Sequence, residues 1–307
     1  MGRHARRIIS ILVLVIGFGA LFVYDRLTSL ETQQISDDVH IIRGYGGNVA
    51  VLATDEGAVV VDTMSFRRLG GDLHDLASKL GGGPPLAILN THYHSDHTHG
   101  NPGFAPGIRV VATDRTLGYL QEWDADYWNG TDGNNLPNDT FTDQHTLEVG
   151  GKTVRAHYFG RGHTGGDLVV LFVEDGVIHV GDLLFQRLYP NIDLGGGGSL
   201  PGWIAVIDRI LELDFEHVVP GHGELTDRDG LRAFQAFLRE VWTAAEAAAG
   251  SGVHLDEFLA AAELQEDAGY DVLSAPFQYR FDRESVLTAA WLEATGAAGA
   301  WNEEVSP

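Results

Sequence analysis

The chain has 307 residues, 44% of them hydrophobic, enough for one large domain or two small ones with a substantial core. Its 20 basic and 43 acidic side chains leave a formal charge of −23, which repels phosphate backbones and argues against nucleic acid as a partner. It contains no cysteine, which excludes disulfides and thiolate metal ligands.

Arg3, Arg6 and Arg7 precede an uncharged, largely apolar stretch from Ile8 to Tyr24, closed by Asp25 and Arg26. That is a charged start followed by a membrane-targeting segment. The stretch lies at the short edge of the roughly 17–25 residues that span a bilayer. Gly17 and Gly19 sit inside the apolar run, and no small-residue cleavage site stands out. Residues 1–26 therefore read as an uncleaved signal anchor, with a cleaved signal peptide as the alternative. With the arginines inside, the rest of the chain faces outward, anchored to the membrane, or is periplasmic or secreted if cleaved.

Residues 27–37 read as a polar linker. Val39–Arg43, Asn48–Thr54 and Ala58–Asp62 are short apolar runs broken by glycine-bearing turns, the pattern of an antiparallel meander. Phe66–Leu80 has helical spacing of Leu69, Leu73, Leu76 and Leu80, weakened at its start by Gly70-Gly71. Gly81-Gly82-Gly83-Pro84-Pro85 ends it. Leu86–Leu89 reads as a buried strand, Arg109–Thr113 as another, and Thr116–Trp123 as a helix.

Residues 124–143, rich in Asn, Asp, Gly and aromatics, read two ways. Either they form a lid whose Tyr127 or Trp128 touches substrate, or they are an insertion packed on the domain. Thr146–Val149 and Lys152–Phe159 form one hairpin pattern, Leu168–Val173 and Val177–Val180 a second. Residues 190–202, with four consecutive glycines, read as a flexible loop before a helix at Trp203–Leu213. Asp227–Ala249 is a long amphipathic helix capped by Thr226 or Asp227. Two further helices, near 254–264 and 283–295, lie in a C-terminal helical extension, residues 251–307, that carries no evident chemistry. The domain proper is then 38–250, and no internal repeat is visible.

The chemistry concentrates after the strand at Leu86–Leu89. His92, His94, Asp96 and His97 fall within six positions, in H-x-H-x-D-H spacing. Imidazole with carboxylate suits zinc or iron better than magnesium or calcium. His163 follows Gly160-Arg161-Gly162, Asp182 follows Val180-Gly181, and His222 follows Pro220-Gly221. Each sits where a strand-like run meets a glycine-bearing turn, which lets backbone pack close to a metal. His4, His40, His74, His145, His157, His179, His217 and His254 lack such neighbours and read as ordinary surface or core histidines. His99 borders the cluster and reads as a pocket-lining residue. Asp62, ending the run Val59-Val60-Val61, is the main candidate to orient a ligand histidine, with Thr91 and Asn101 as weaker ones.

These motifs, in this order over roughly residues 38–245, resemble the metallo-β-lactamase-fold hydrolase superfamily. The resemblance implies an α/β four-layer αβ/βα sandwich with metals at one edge. It implies His92, His94 and His163 on a first metal, and Asp96, His97 and His222 on a second. Asp182 would bridge the two. It further implies two zinc ions, a hydroxide between them as nucleophile, and Asp96 as the catalytic residue that orients or receives a proton. The substrate would be a small molecule with an ester, thioester, lactone or amide bond, a β-lactam included. The thiolate-bearing lactamase subclass has Cys where Asp182 stands and Lys where Phe185 stands, so Arg187 is the candidate to hold a substrate carboxylate. The stretch Gly181–Phe185 with Gly198–Trp203 is also similar to exported metallohydrolases associated with quinoprotein or sulfur-oxidation systems. Two other readings stay open: a sulfur dioxygenase with a single iron, and a non-catalytic metal-binding protein. A diiron oxidoreductase is disfavoured because His94 stands where that pattern has Glu. A serine hydrolase is disfavoured because no G-x-S-x-G elbow is present.

Overall fold

The computed structural model describes residues 28–130, 134–275 and 279–297. The expected anchor at residues 1–26 lies outside them. Among the described residues no helix is long and apolar enough to cross a membrane.

Seven strands form the first sheet in sequential order: β1 (Glu31–Gln34), β2 (Val39–Arg43), β3 (Val49–Thr54), β4 (Gly57–Val61), β5 (Ala87–Leu89), β6 (Arg109–Thr113) and β7 (Asp139–Phe141). The first four are an antiparallel meander, and β4 to β7 run parallel. The second sheet has the order β12-β11-β10-β9-β8, from β8 (Gln144–Val149), β9 (Lys152–Tyr158), β10 (Leu168–Phe172), β11 (Val177–His179) and β12 (His217–Val219). It is antiparallel except for the β11–β12 pair.

The alternation of strand side chains sorts the core into layers. On β3, Ala50 and Leu52 face the second sheet's Val154, Leu168 and Val170, while Val49 and Val51 face a helix. That helix is α1 (Arg67–Leu80), which packs Leu69, Leu73 and Ala77 on the outer face of the first sheet. The outer face of the second sheet, through Val169, Leu171 and Ile178, is covered by α5 (Leu200–Ile210) and α6 (Arg228–Gly250). The result is the expected helix–sheet–sheet–helix sandwich. The C-terminal helices α7 (Leu255–Ala261) and α8 (Arg283–Ala294) join the same core through Phe258, Val286, Leu287 and Ala290.

Four local expectations are corrected. The polar linker at 27–37 contains β1, an edge strand on β2; all four of its residues are exposed, so no apolar alternation announced it. Gly70 sits inside α1, where an added Cβ would lie 1.8 Å from the Gly100 carbonyl oxygen. It is spent on close packing of the helix against the metal-motif segment. The helix expected from Trp203 begins at Leu200 instead, because the Ser199 hydroxyl accepts from Gly202 N and Pro201 suits a first turn. The glycine-rich loop before it is tied down, with Arg161 donating to the Gly197 and Gly198 carbonyls and Gly198 N donating to Asp193 O.

Residues 124–143 are an insertion with structure of its own. They hold α4 (Ala125–Trp128), which follows α3 (Asp114–Glu122), and the edge strand β7. Trp128 is buried. Tyr127 and His99 line a groove of about 860 Å³ beside Ser95, Arg67 and Phe104. The two rings stack 3.6 Å apart, and His99 pairs with Asp124 at 2.7 Å.

Candidate metal centre

All seven residues picked out in the sequence come together at one edge of the sandwich, in two groups. One is His92, His94, His163 and Asp182, the other Asp96, His97 and His222. His92 follows β5 by three residues. His94 is the N-cap of the short helix α2 (Ser95–Thr98), which presents Asp96 and His97 side by side. Asp182 sits in a 3-10 turn just after β11, and His222 in the turn after β12. Parallel neighbours β11 and β12 end together, so their turns meet: Gly221 N donates to Gly181 O, and a Cβ on Gly221 would lie 1.9 Å from Asp182 Oδ1.

In the first group, His92 Nε2 and His163 Nε2 each lie 3.0 Å from His94 Nδ1, and 3.8 and 3.5 Å from Asp182 Oδ2. Ligand atoms around a tetrahedral zinc, each about 2.0–2.1 Å from it, lie roughly 3.4 Å apart. The other ring nitrogens fix the tautomers. His163 Nδ1 faces the Asn191 carbonyl at 2.9 Å, and His94 Nε2 faces the Asp193 carboxylate at 3.1 Å, so both must donate. The Thr91 hydroxyl spends its proton on Asp62 Oδ2, 2.7 Å away, so His92 Nδ1 donates to Thr91 Oγ1 at 3.0 Å. Neutral rings so held point three lone pairs at one another, an arrangement that a cation satisfies.

The second group faces the other oxygen of the same carboxylate. Asp182 Oδ1 lies 3.1 Å from His97 Nε2 and 3.5 Å from His222 Nε2, and Asp96 Oδ2 lies 3.3 Å from His222 Nε2. His97 Nδ1 donates to Asp62 Oδ2 at 2.8 Å, which leaves its Nε2 as the outward atom. Although His97 Nε2 and Asp182 Oδ1 are close, both are buried and neither has a hydrogen-bond partner. Orphaned buried polar atoms are costly unless an ion takes them up. The donor set therefore fits two divalent cations.

Without a metal, protons take up this role. Burial disfavours a charged His222, but Asp182 and Asp96 outweigh it and raise the group to about 9. Burial likewise opposes charge on His97, and Asp182, Asp96 and Asp62 reverse that effect. Asp182 is held well below the ordinary carboxylate range, because His222, His97 and His92 outweigh its burial. Burial lowers His163 to about 4, keeping it neutral. The sign for His222 follows from its raised value. Its ion pairs stabilise the metal-free fold fully below the ordinary 6.5, and that stability is lost as pH rises through about 9. The same proton competes with metal. Zinc uptake is expected to release protons and to tighten as pH rises from about 6.5 towards 9, read by calorimetry in buffers of differing ionisation enthalpy. Uptake without proton release would contradict the assignment of His222 as a ligand.

Asp62 holds the His97 ring, and Thr91 carries the link on to His92. Asn101 does not touch a ligand ring; it ties Thr63 and Asn90 beneath the motif. The sequence reading missed three residues. Asp193 holds His94 and accepts from Tyr93. Asn48 donates to the Pro220 and Gly223 carbonyls around His222. His179, buried as an ordinary core histidine should be, accepts from Gly181 N and donates to Asn48 O, bracing the Asp182 turn. Arg187 was the candidate to hold a substrate carboxylate. Its backbone pairs with Asp271, and its guanidinium lies against Gly269. Phe185 is buried between His163 and His222, with ring centroids 5.6 and 5.3 Å away, so it packs the ligands in place.

Comparison with known proteins agrees with the geometry. The family described as the metallo-beta-lactamase superfamily matches residues 42–222, a span that contains all seven residues. The chain belongs to that superfamily. Its members are metal-dependent hydrolases, and the His/Asp cluster of this one is the metal-binding kind. It is 22% identical over 233 residues to a metallo-beta-lactamase type 2 of Elizabethkingia meningoseptica, covering 72% of this chain and 90% of that one. It is 25% identical over 295 residues to the 2,4-dinitroanisole O-demethylase subunit alpha of a Nocardioides species, covering 91% and 83%. Its fold is that of a sec-alkylsulfatase from a Pseudomonas species, at a TM-score of 0.69 and 16% identity, covering 91% of this chain and 52% of that one.

Proposed function

We propose that this superfamily member is a dinuclear zinc hydrolase acting on a small molecule, cleaving an ester, thioester, lactone or amide bond. The observation that carries the reading is the placement of Asp182. Its Oδ2 faces His92 and His163, its Oδ1 faces His97 and His222, and the side chain is 4% exposed. A buried carboxylate with one oxygen in each imidazole group is what a bridge between two ions requires. A single-iron dioxygenase leaves Asp96, His97 and His222 without a use.

Bound there, two dications supply an activated water and Lewis-acid polarisation of the scissile group. The chain's own residues do the rest. Asp96, with its side chain 15% exposed, is more open to solvent than Asp182 and would orient the attacking water or receive its proton. Asp62, Asp193 and the Asn191 carbonyl fix the rings so that no reorganisation is needed. Phe185 offers no charge to a substrate carboxylate, so recognition of a β-lactam must come from elsewhere. The names of the relatives add β-lactams and aryl methyl ethers to the bonds worth screening.

Elemental analysis of the chain purified without added metal tests this. We expect close to two zinc per chain, with hydrolysis abolished by a chelator and restored by zinc. One iron per chain, or activity indifferent to chelation, would overturn the reading.

A further inference from the structure

Residues 191–198, between the Asp182 turn and α5, wrap the outer side of the first group of metal residues. The Asn191 carbonyl accepts from His163 Nδ1 at 2.9 Å, and Asp193 N donates to the His163 carbonyl at 3.2 Å. The Asp193 carboxylate then reaches across to His94. Its Oδ2 accepts from His94 Nε2 at 3.1 Å and from the Tyr93 hydroxyl, and its Oδ1 accepts from Gly196 N at 2.8 Å. Two of the three imidazoles of this group thus take their outer partners from one short segment. The second group is braced from the first sheet instead. Asp62, after β4, holds His97, and Asn48, before β3, holds the turn that carries His222.

Tyr93 is the anchored end of this arrangement. Its ring packs on His94, Tyr119 and Trp123, with centroids 4.6, 5.1 and 5.8 Å away. A ring packed on three sides holds its hydroxyl at one place, and Asp193 Oδ2 is bonded there. A carboxylate bonded to His94 alone could follow that imidazole as it turns. One bonded also to an anchored phenol and to a peptide N–H has both oxygens placed, and the imidazole must conform to it. The glycine-rich run is what allows the closure. A Cβ on Gly196 would lie 2.0 Å from Asp193 Oδ2 and 2.7 Å from the Tyr93 hydroxyl oxygen, so the peptide can close over this pair only at glycine.

We propose that Tyr93 is a positioning residue of the first metal position: through Asp193 it holds the His94 ring, and it ties that position, and not the second, to residues 191–198. The affinity of the His92, His94 and His163 position then depends on a side chain that is no ligand, and the two positions draw on different parts of the fold. This rests on the two-metal reading above.

The test uses the full chain loaded with zinc. Competition with a chromophoric chelator reads the two zinc affinities, and NMR of the nitrogen-labelled chain reads the imidazole N–H signals of His94 and His97. Tyr93→Phe keeps the ring and removes only the hydroxyl. One zinc affinity should fall about tenfold, the lower end of what losing an outer partner of a ligand costs. The His94 signal should shift while the His97 signal stays. Gly196→Ala removes no polar atom but displaces the Asp193 carboxylate, and should give the same pattern. Tyr119→Phe is the control, because its hydroxyl lies against Gly165 and Gly197; both affinities should match the parent's. Unchanged affinities in Tyr93→Phe overturn the proposal and leave the two-metal reading standing. Two affinities that fall together, or an equal loss in Tyr119→Phe, also overturn it, because either shows a general loosening of the fold. A parent chain that takes up a single zinc overturns the two-metal reading and this proposal with it.

Discussion

Asp182→Ala is expected to empty both metal positions at once. Each oxygen of this carboxylate serves a different group of imidazoles, and no other residue of the seven is shared. Its removal also strips His97 and His222 of a buried carboxylate oxygen 3.1 and 3.5 Å away. Metal content should fall from about two per chain to below one, and hydrolysis by more than about a hundredfold, since disturbing even the outer partners of a metal ligand costs about 10–100-fold. Asp182→Asn separates charge from shape. It keeps the volume against Gly221 but offers one acceptor in place of two, so one position should be lost and the other weakened. A variant that retains two metals and full activity would show that Asp182 is no bridge.

The clustered residues were legible because metal chemistry uses few residue types and places them at strand ends. Four such residues within six positions have no bland explanation, and His163, Asp182 and His222 each follow a run and a glycine. Asp62 was legible for the same reason: a carboxylate closing Val59-Val60-Val61 has to satisfy itself near the other strand ends. Asp193, Asn48 and His179 were not. Each is a lone polar residue whose partners lie between 2 and 175 positions away, and only the folded chain decides which. The glycine-rich loop misled in an instructive way. Its composition reads as freedom, yet its peptide groups are hydrogen bonded to Arg161, Gly165 and Asp193. Edge strand β1 escaped notice because an exposed strand needs no apolar alternation to pair.

Asp62→Ala is the substitution expected to separate the two metal positions. Asp62 is fully buried and holds a backbone φ of +64°, a conformation that Asn and Asp tolerate better than other side chains with a Cβ. Its carboxylate accepts from Thr91 N at 2.8 Å, from the Thr91 hydroxyl at 2.7 Å and from His97 Nδ1 at 2.8 Å. Alanine leaves these donors facing nothing. Each buried donor so orphaned costs about 1–3 kcal/mol, so the fold should lose at least about 2 kcal/mol in denaturant unfolding. His97 touches Asp62 directly, whereas His92 feels it only through Thr91. The His97 position should therefore lose metal affinity about 10–100-fold, and the His92 position less. Competition with a chromophoric chelator would read this as a wider gap between the two zinc affinities than in the parent. Asp62→Asn supplies the control. It suits the positive φ and still accepts one hydrogen bond, so its stability should lie between the two, while an imidazole facing a neutral amide still loses orientation. If both variants bind the second zinc as the parent does, the Asp62–His97 contact holds the fold and has no part in setting the metal.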